Sequence, residues 1–187
     1  CWPRFERAAR WFIDSFERPR RAQGARPLAV EAKGEFTFDA PGGPFTLSAT
    51  ADRIDRTPDG LVVIDYKTGA TPSKKEVESG FAPQLTLEAA MVEAGAFAGV
   101  PKAEVTALAY VQLSGLRDPG KTVEMTADVA LHVRRAEAEL KELIARYDDA
   151  GTPYQSRLRV KSERRAGDYD HLARVREWSS GDGGDEP

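Results

Sequence analysis

Apolar residues recur at three- and four-residue spacing from Phe5 through Ala8, Ala9, Phe12, Ile13 and Phe16, with charges between them. That period predicts a helix over residues 4–18, ended by Pro19 and the Arg/Gly-rich stretch that follows. The pattern then changes. Leu28 to Phe38 reads as a strand closed by a Pro/Gly turn, and Phe45 to Arg56 as a second strand. Thr57-Pro58-Asp59-Gly60 has the signature of a type I turn. Leu61 to Thr68 is a third strand, whose Leu-Val-Val-Ile core predicts burial on both faces. Short turns between the three predict an antiparallel meander. Next come a polar loop, a helix from Pro83 to about Ala98 with Leu87, Met91 and Ala94 along one side, and strands at 104–113 and 121–125. The longest helix spans 127 to about 147, with an apolar stripe of Val129, Val133, Ala136, Leu140, Leu143 and Ile144. The order α-β-β-β-α-β-β-α predicts an α/β fold with a mixed central sheet flanked by helices.

Length and composition narrow the class. With 187 residues, 41% apolar and 30% charged, the chain is long enough for one domain with a sizeable core. We expect that domain over 1–178, and a disordered Gly/Asp/Ser-rich tail over 179–187. The longest uncharged stretch, Val105 to Leu116, is 12 residues, too short to span a bilayer. The opening Cys-Trp-Pro-Arg lacks the layout of a signal peptide, so a fragment of a longer protein is expected. A single Cys excludes an internal disulfide framework and any cysteine-based metal cluster within the piece, and it suits a reducing cytoplasm.

The net charge of −3 argues against a uniformly basic nucleic-acid coat. Basic clusters nevertheless stand at residues 1–26 and 157–165, and such clusters can hold phosphate backbones.

Candidate chemistry concentrates in Asp52-Arg53-Ile54-Asp55 and Ile64-Asp65-Tyr66-Lys67-Thr68-Gly69. Side chains two apart on a strand share a face, so Asp65 and Lys67 project together. Antiparallel pairing can bring an aspartate of the preceding strand beside Asp65. Alternation alone does not choose between Asp52 and Asp55 for that place. Two adjacent carboxylates repel unless a cation lies between them or one is protonated. Oxygen ligands from two Asp residues suit Mg²⁺ or Mn²⁺, and a neighbouring Lys can steady charge on a phosphate. The constellation fits phosphodiester hydrolysis.

Asp52 followed by Asp65-Tyr66-Lys67 resembles the PD-(D/E)XK nuclease core. The longer strings, with Pro83-Gln84-Leu85, resemble its RecB-like branch. The closing Gly167-Asp168-Tyr169-Asp170-His171-Leu172 with Glu177-Trp178 resembles the C-terminal domain of AddB-type subunits of alphaproteobacterial helicase–nucleases. The resemblance implies a restriction-endonuclease-like fold. It also implies Mg²⁺-dependent exonuclease chemistry on DNA in double-strand break repair, with an AddA-type partner subunit and no membrane. By that resemblance Asp52 and Asp65 are metal ligands, the Tyr66 backbone carbonyl is a further one, Lys67 is the catalytic lysine and Gln84 completes the site. Glu88 stands where the family has Tyr, four residues after Gln84; it shares a helix face with Gln84 and could point toward the site, and the favoured reading is an ordinary exposed helix residue. The family's upstream His ligand has no counterpart: His132 reads as solvated, His171 as a packing residue, and the first helix offers only Glu6, Asp14 and Glu17. A Cas4-like or phage exonuclease would share the core. The alternative of another class is a catalytically incomplete nuclease-fold module that binds DNA or scaffolds a partner.

Overall fold

A computed structural model of the chain describes residues 2–153. Its contacts divide the chain into Cys1–Asp149 and Ala150–Pro187, and the elements below belong to the first unit. The expected tail, the 157–165 basic cluster, Tyr154, His171 and the closing string at 167–178 lie outside the described residues.

The first helix runs further than its pattern predicts. It comprises α1 (Trp2–Trp11), a π-helical stretch (Phe12–Glu17) and α2 (Arg18–Ala22). Pro19 does not end it. The Arg18 N–H bonds back five residues to the Ile13 carbonyl, and Pro19 sits in the first turn of α2. A proline is tolerated there because the ladder has already changed register.

The expected meander follows as β1 (Arg26–Ala40), β2 (Gly43–Thr57) and β3 (Gly60–Lys67). The stretch read as a loop contains a short helix, α3 (Lys74–Glu78), opened by a capping box between Ser73 and Glu76. Then come α4 (Gln84–Ala94), β4 (Val105–Leu113), β5 (Gly120–Met125) and α5 (Val129–Asp148). The sheet order is β1-β2-β3-β4-β5. β3 and β4 pair in parallel, whereas the other neighbours are antiparallel, so the sheet is mixed. α3 and α4 lie in the crossover that a parallel pair requires.

The sheet is covered on both faces. Ile54, Leu61, Val63, Leu108 and Tyr110 pack with Leu85, Ala89, Met91 and Val92 of α4 and with Val129 and Val133 of α5. On the other face Val62, Ile64, Ala107, Ala109 and Val111 pack against Phe16 of the first helix. β3 is therefore buried on both sides, as its unbroken apolar run predicts. α4 departs from the predicted one-sided stripe and is buried around most of its circumference, from Leu85 through Val92. α5 buries only Val129, Val133 and Ala136; Leu143 is exposed.

β1 and β2 continue past the end of β3 as a two-stranded arm, since β2 pairs with β3 only from Arg53 to Thr57. The rings of Phe36, Phe38 and Phe45 line one side of the arm, and the Gly42 N–H donates to Asp148 of α5. Along the outer edge of β1, Gly34 forms an isolated bridge with Phe97, and the Glu35 N–H donates to the Ala96 carbonyl. The arm kinks at Glu31, whose φ of 49° is left-handed. Glu31 lies between the Val30–Arg53 and Ala32–Ala51 pairs, hence across from Asp52. In a regular strand Ala51 and Ile54 would face opposite sides, yet both join the α4/α5 core.

Candidate active site

β2 and β3 run antiparallel with Arg53 opposite Ile64. The next step outward sets Asp52 opposite Asp65, on the face covered by α4. The ladder stops at this step. The Tyr66 N–H donates instead to Asp52 Oδ2, at 2.8 Å. The kink across from Asp52 and the end of the ladder together free this carboxylate from sheet packing.

Asp65 is buried, with 2% of its surface exposed. Its Oδ1 accepts from Lys67 Nζ at 2.8 Å and from Gln84 Nε2 at 2.6 Å. Its Oδ2 is also buried and has no partner among the described residues. A buried carboxylate oxygen without a donor is costly. Gln84, the first residue of α4, closes a triangle by accepting from Lys67 Nζ through Oε1, at 3.0 Å. The structure thus brings Asp52, Asp65, Lys67 and Gln84 to one place at the C-terminal end of β3.

Glu88 joins them, contrary to the exposed position its sequence context predicts. It is 4% exposed, and its Oε1 accepts from Gln84 Nε2 at 3.1 Å. Its Oε2 is buried without a partner among the described residues. Burial pushes its carboxyl up to about 7, against the lowering effect of the Gln84 hydrogen bond, and the charges of Asp65 and Asp52 add to the rise. A signal for this was present in the sequence. A helix apolar on nearly all sides from Leu85 to Val92 has no solvent face on which to put a Glu. Tyr110 lies beneath the site; burial and the Asp65 charge raise its hydroxyl to about 12. Tyr66 and Tyr110 are packed aromatics: Tyr110 is buried and Tyr66 rests edge-on against Phe12.

Asp55 takes no part in this cluster. It lies on the opposite face, where both its oxygens are held: Arg53 donates to Oδ1 at 2.6 Å and Oδ2 at 2.9 Å, and Arg20 to Oδ2 at 3.1 Å. Arg53 also donates to Glu17 at 2.8 Å and to the Tyr66 hydroxyl at 3.3 Å. Burial works against the Arg53 charge, but the Asp55 and Glu17 carboxylates outweigh it and raise its pKa. Glu17, a candidate in the first helix, is therefore a partner of Arg53. His132 of α5 is half-buried; its Nδ1 is buried and has no partner among the described residues, and it bonds to none of the clustered residues.

The donor set at the cluster is all hard oxygen: two Asp carboxylates, with Glu88 behind Gln84. The orphaned Asp65 Oδ2 is the observation that fits a hard divalent cation, held by Asp52 and Asp65. Among the described residues no group of three or more His, Cys, Asp or Glu side chains is arranged to hold a metal by itself. No helix among them is long and apolar enough to cross a membrane.

A family model described as the PD-(D/E)XK nuclease superfamily matches residues 3–157. An uncharacterized protein of Rickettsia bellii is 29% identical over 121 residues, which cover 57% of this chain and 14% of that protein. An uncharacterized protein of Rickettsia conorii is 36% identical over 73 residues, covering 38% of this chain and 9% of the relative. The chain therefore spans a small part of the length of these relatives. The solved structure titled "Crystal structure of SSO0001" aligns with a TM-score of 0.36 at 19% identity, over 68% of this chain and 55% of that one.

Proposed function

Because the chain belongs to the PD-(D/E)XK nuclease superfamily, we propose that the Asp52–Asp65–Lys67 cluster hydrolyses DNA phosphodiesters with Mg²⁺ or Mn²⁺. We further propose that the domain is a RecB-like exonuclease of an AddB-type subunit. It would work in the cytoplasm with an AddA-type partner in double-strand break repair. The observation that carries the chemistry is the orphaned, buried Oδ2 of Asp65 beside Lys67 and across from Asp52. The AddB-type role rests on the sequence resemblance alone.

A bound divalent cation supplies Lewis-acid charge at the phosphate and a water of lowered pKa. Asp52, Asp65 and the Tyr66 carbonyl would hold it. The chain's own residues do the rest. Lys67 has three N–H donors, of which two go to Asp65 and Gln84. The third is left for a phosphate oxygen, where it offsets charge that grows in the transition state. Gln84 and Asp65 hold that ammonium in place so that it need not reorganise during reaction.

The expected outcome for Asp65→Ala in the full-length parent protein is loss of Mg²⁺-dependent cleavage by about a thousandfold or more, with ATP-driven unwinding left largely intact. Wild-type cleavage of end-labelled duplex by that variant, with ATP present, would refute the assignment. A second reading has one observation in its favour, the lack of a third metal-holding side chain among the described residues. On that reading the fold binds DNA or scaffolds a partner. Lys67→Ala would then weaken DNA binding and change no cleavage.

A further inference from the structure

Glu88 is buried at the proposed site, yet the reading above gives it no task. Its Oε1 bonds to the Gln84 amide and its Oε2 has no partner, so its hydrogen-bonding hold on the protein is that one amide. A structural carboxylate of this fold looks different: Asp55 has both oxygens engaged by two guanidiniums.

We propose that Glu88 is a positioning residue that fixes the Gln84 amide and, through it, the Lys67 ammonium for the cleavage reaction proposed above, on which this inference rests. The geometry leaves one orientation for the amide. Gln84 Nε2 lies between two carboxylate oxygens, at 2.6 Å from Asp65 Oδ1 and 3.1 Å from Glu88 Oε1. Its Oε1 lies 3.0 Å from Lys67 Nζ. Ionised carboxylates only accept and an ammonium only donates. Rotating the amide by half a turn would set its oxygen against the Asp65 carboxylate and its NH₂ against the ammonium, two repulsive contacts in place of two bonds, and would also turn the Glu88 contact repulsive wherever that carboxyl is ionised.

Glu88 is needed for this because Gln84 is exposed at the first position of α4, where a long side chain has rotamers to lose. Glu88 stands one turn further along the same helix face and is itself walled in. It anchors the amide from behind while Asp65 and Lys67 hold its front. The consequence falls on Lys67, which is partly exposed; among the described residues its other hydrogen bond goes to Asp65, and its Nζ lies over the Tyr110 ring at 5.9 Å. A tethered ammonium keeps its remaining donor available to the phosphate.

Two substitutions in the full chain separate the acceptor from bulk and charge. Glu88→Met fills about the same volume without an acceptor. Glu88→Gln keeps an oxygen for the Gln84 amide and loses the charge. On a single-stranded oligonucleotide with Mg²⁺, Glu88→Met is expected to lower kcat about 10- to 100-fold, with KM for DNA little changed, as for loss of other orienting partners. Glu88→Gln is expected to stay within about fivefold of wild type, since a neutral acceptor gives roughly half the strength of a charged one. A second readout needs no cleavage: the side-chain amide resonances of Gln84 in the metal-free chain. They should remain those of a bonded, slowly exchanging amide in Glu88→Gln and move toward the positions of a free, rapidly exchanging amide in Glu88→Met. Wild-type kcat in Glu88→Met, or equal losses in both variants, overturns the proposal. If the wild-type chain does not cleave DNA at all, the nuclease reading fails. The amide resonances then decide the role of Glu88: unchanged signals in Glu88→Met overturn it. If Glu88→Met does not fold, Gln84 signals of a free, rapidly exchanging amide in Glu88→Gln overturn it as well.

Discussion

Two groups of charged side chains flank the end of β3, one on each face of the sheet. They draw on the same short string, Asp52 to Asp55. On the first-helix face three carboxylates, Glu17, Asp55 and Glu124, meet three guanidiniums, Arg20, Arg21 and Arg53. Both Asp55 oxygens are taken, and the only unmet polar atom there among the described residues is Arg20 Nε. On the α4 face three carboxylates, Asp52, Asp65 and Glu88, meet one ammonium, Lys67. Two buried carboxylate oxygens there have no donor. The first group is balanced and closed, so its role is to hold the first helix on the sheet. The second carries an excess of negative charge that a folded protein has no structural reason to retain.

The comparison can be broken by treating its two buried aspartates alike. Asp55→Ala should destabilise the chain by about 3–5 kcal/mol, because it strands Arg53 and Arg20 with fewer carboxylates than guanidiniums. Urea unfolding is the measurement. The same substitution at Asp65 should leave stability nearly unchanged, since it removes a charge that lacks a full complement of donors. Equal losses at the two positions would show that the faces do not differ in kind.

Lys67→Ala comes next in size. Cleavage should fall about 10²- to 10³-fold, the usual cost of losing one transition-state donor. Affinity for single-stranded DNA should change little, because one phosphate contact alters the salt slope by only about one. The reverse pattern, weaker binding with no cleavage to lose, would move the α4 face from catalysis to binding.

Glu88 supplies a smaller and pH-dependent effect. Its carboxyl is raised from 4.5 to about 7 by burial. The unfolded chain therefore ionises first as pH rises, and the folded chain loses stability across that interval. Below about pH 4.5 there is no penalty; above about pH 7 it is complete, on the order of 3 kcal/mol. In a chelator-treated sample, Glu88→Gln should thus gain on wild type between these pH values in thermal unfolding. A constant difference between the two proteins at all pH values would refute the account.

These differences were only partly readable in the sequence. Alternation placed Asp65 with Lys67, and a short turn placed an aspartate of β2 beside them. The choice between Asp52 and Asp55 needed the register, which sets Arg53 opposite Ile64 and so sends Asp55 to the other face. The strands were legible because each is bounded by Gly or Pro and carries β-branched or aromatic residues. Two features were not. The π stretch that carries the helix past Pro19 depends on a hydrogen-bond register no residue type announces. The kink at Glu31 places a non-glycine residue in a left-handed conformation, at a cost of roughly 1–3 kcal/mol. The buried position of Glu88 lies between these cases: the apolar run from Leu85 to Val92 signals it, against the ordinary preference of the residue type.

The bridge between Gly34 and Phe97 bears on a different property of the molecule, its behaviour at high concentration. β1 is an edge strand of 15 residues, long enough to recruit a strand from another copy through its unpaired backbone. Ala96 and Phe97 occupy part of that edge, and they can do so only because position 34 lacks a Cβ. One built there would lie 2.6 Å from the Phe97 ring. Gly34→Ala should therefore displace the ring and reopen the edge. The expected result is a chain that folds and yet self-associates at lower concentration than wild type, measured by light scattering. An unchanged scattering profile would mean that the charges at Glu31, Lys33 and Glu35 guard the edge without help from Phe97.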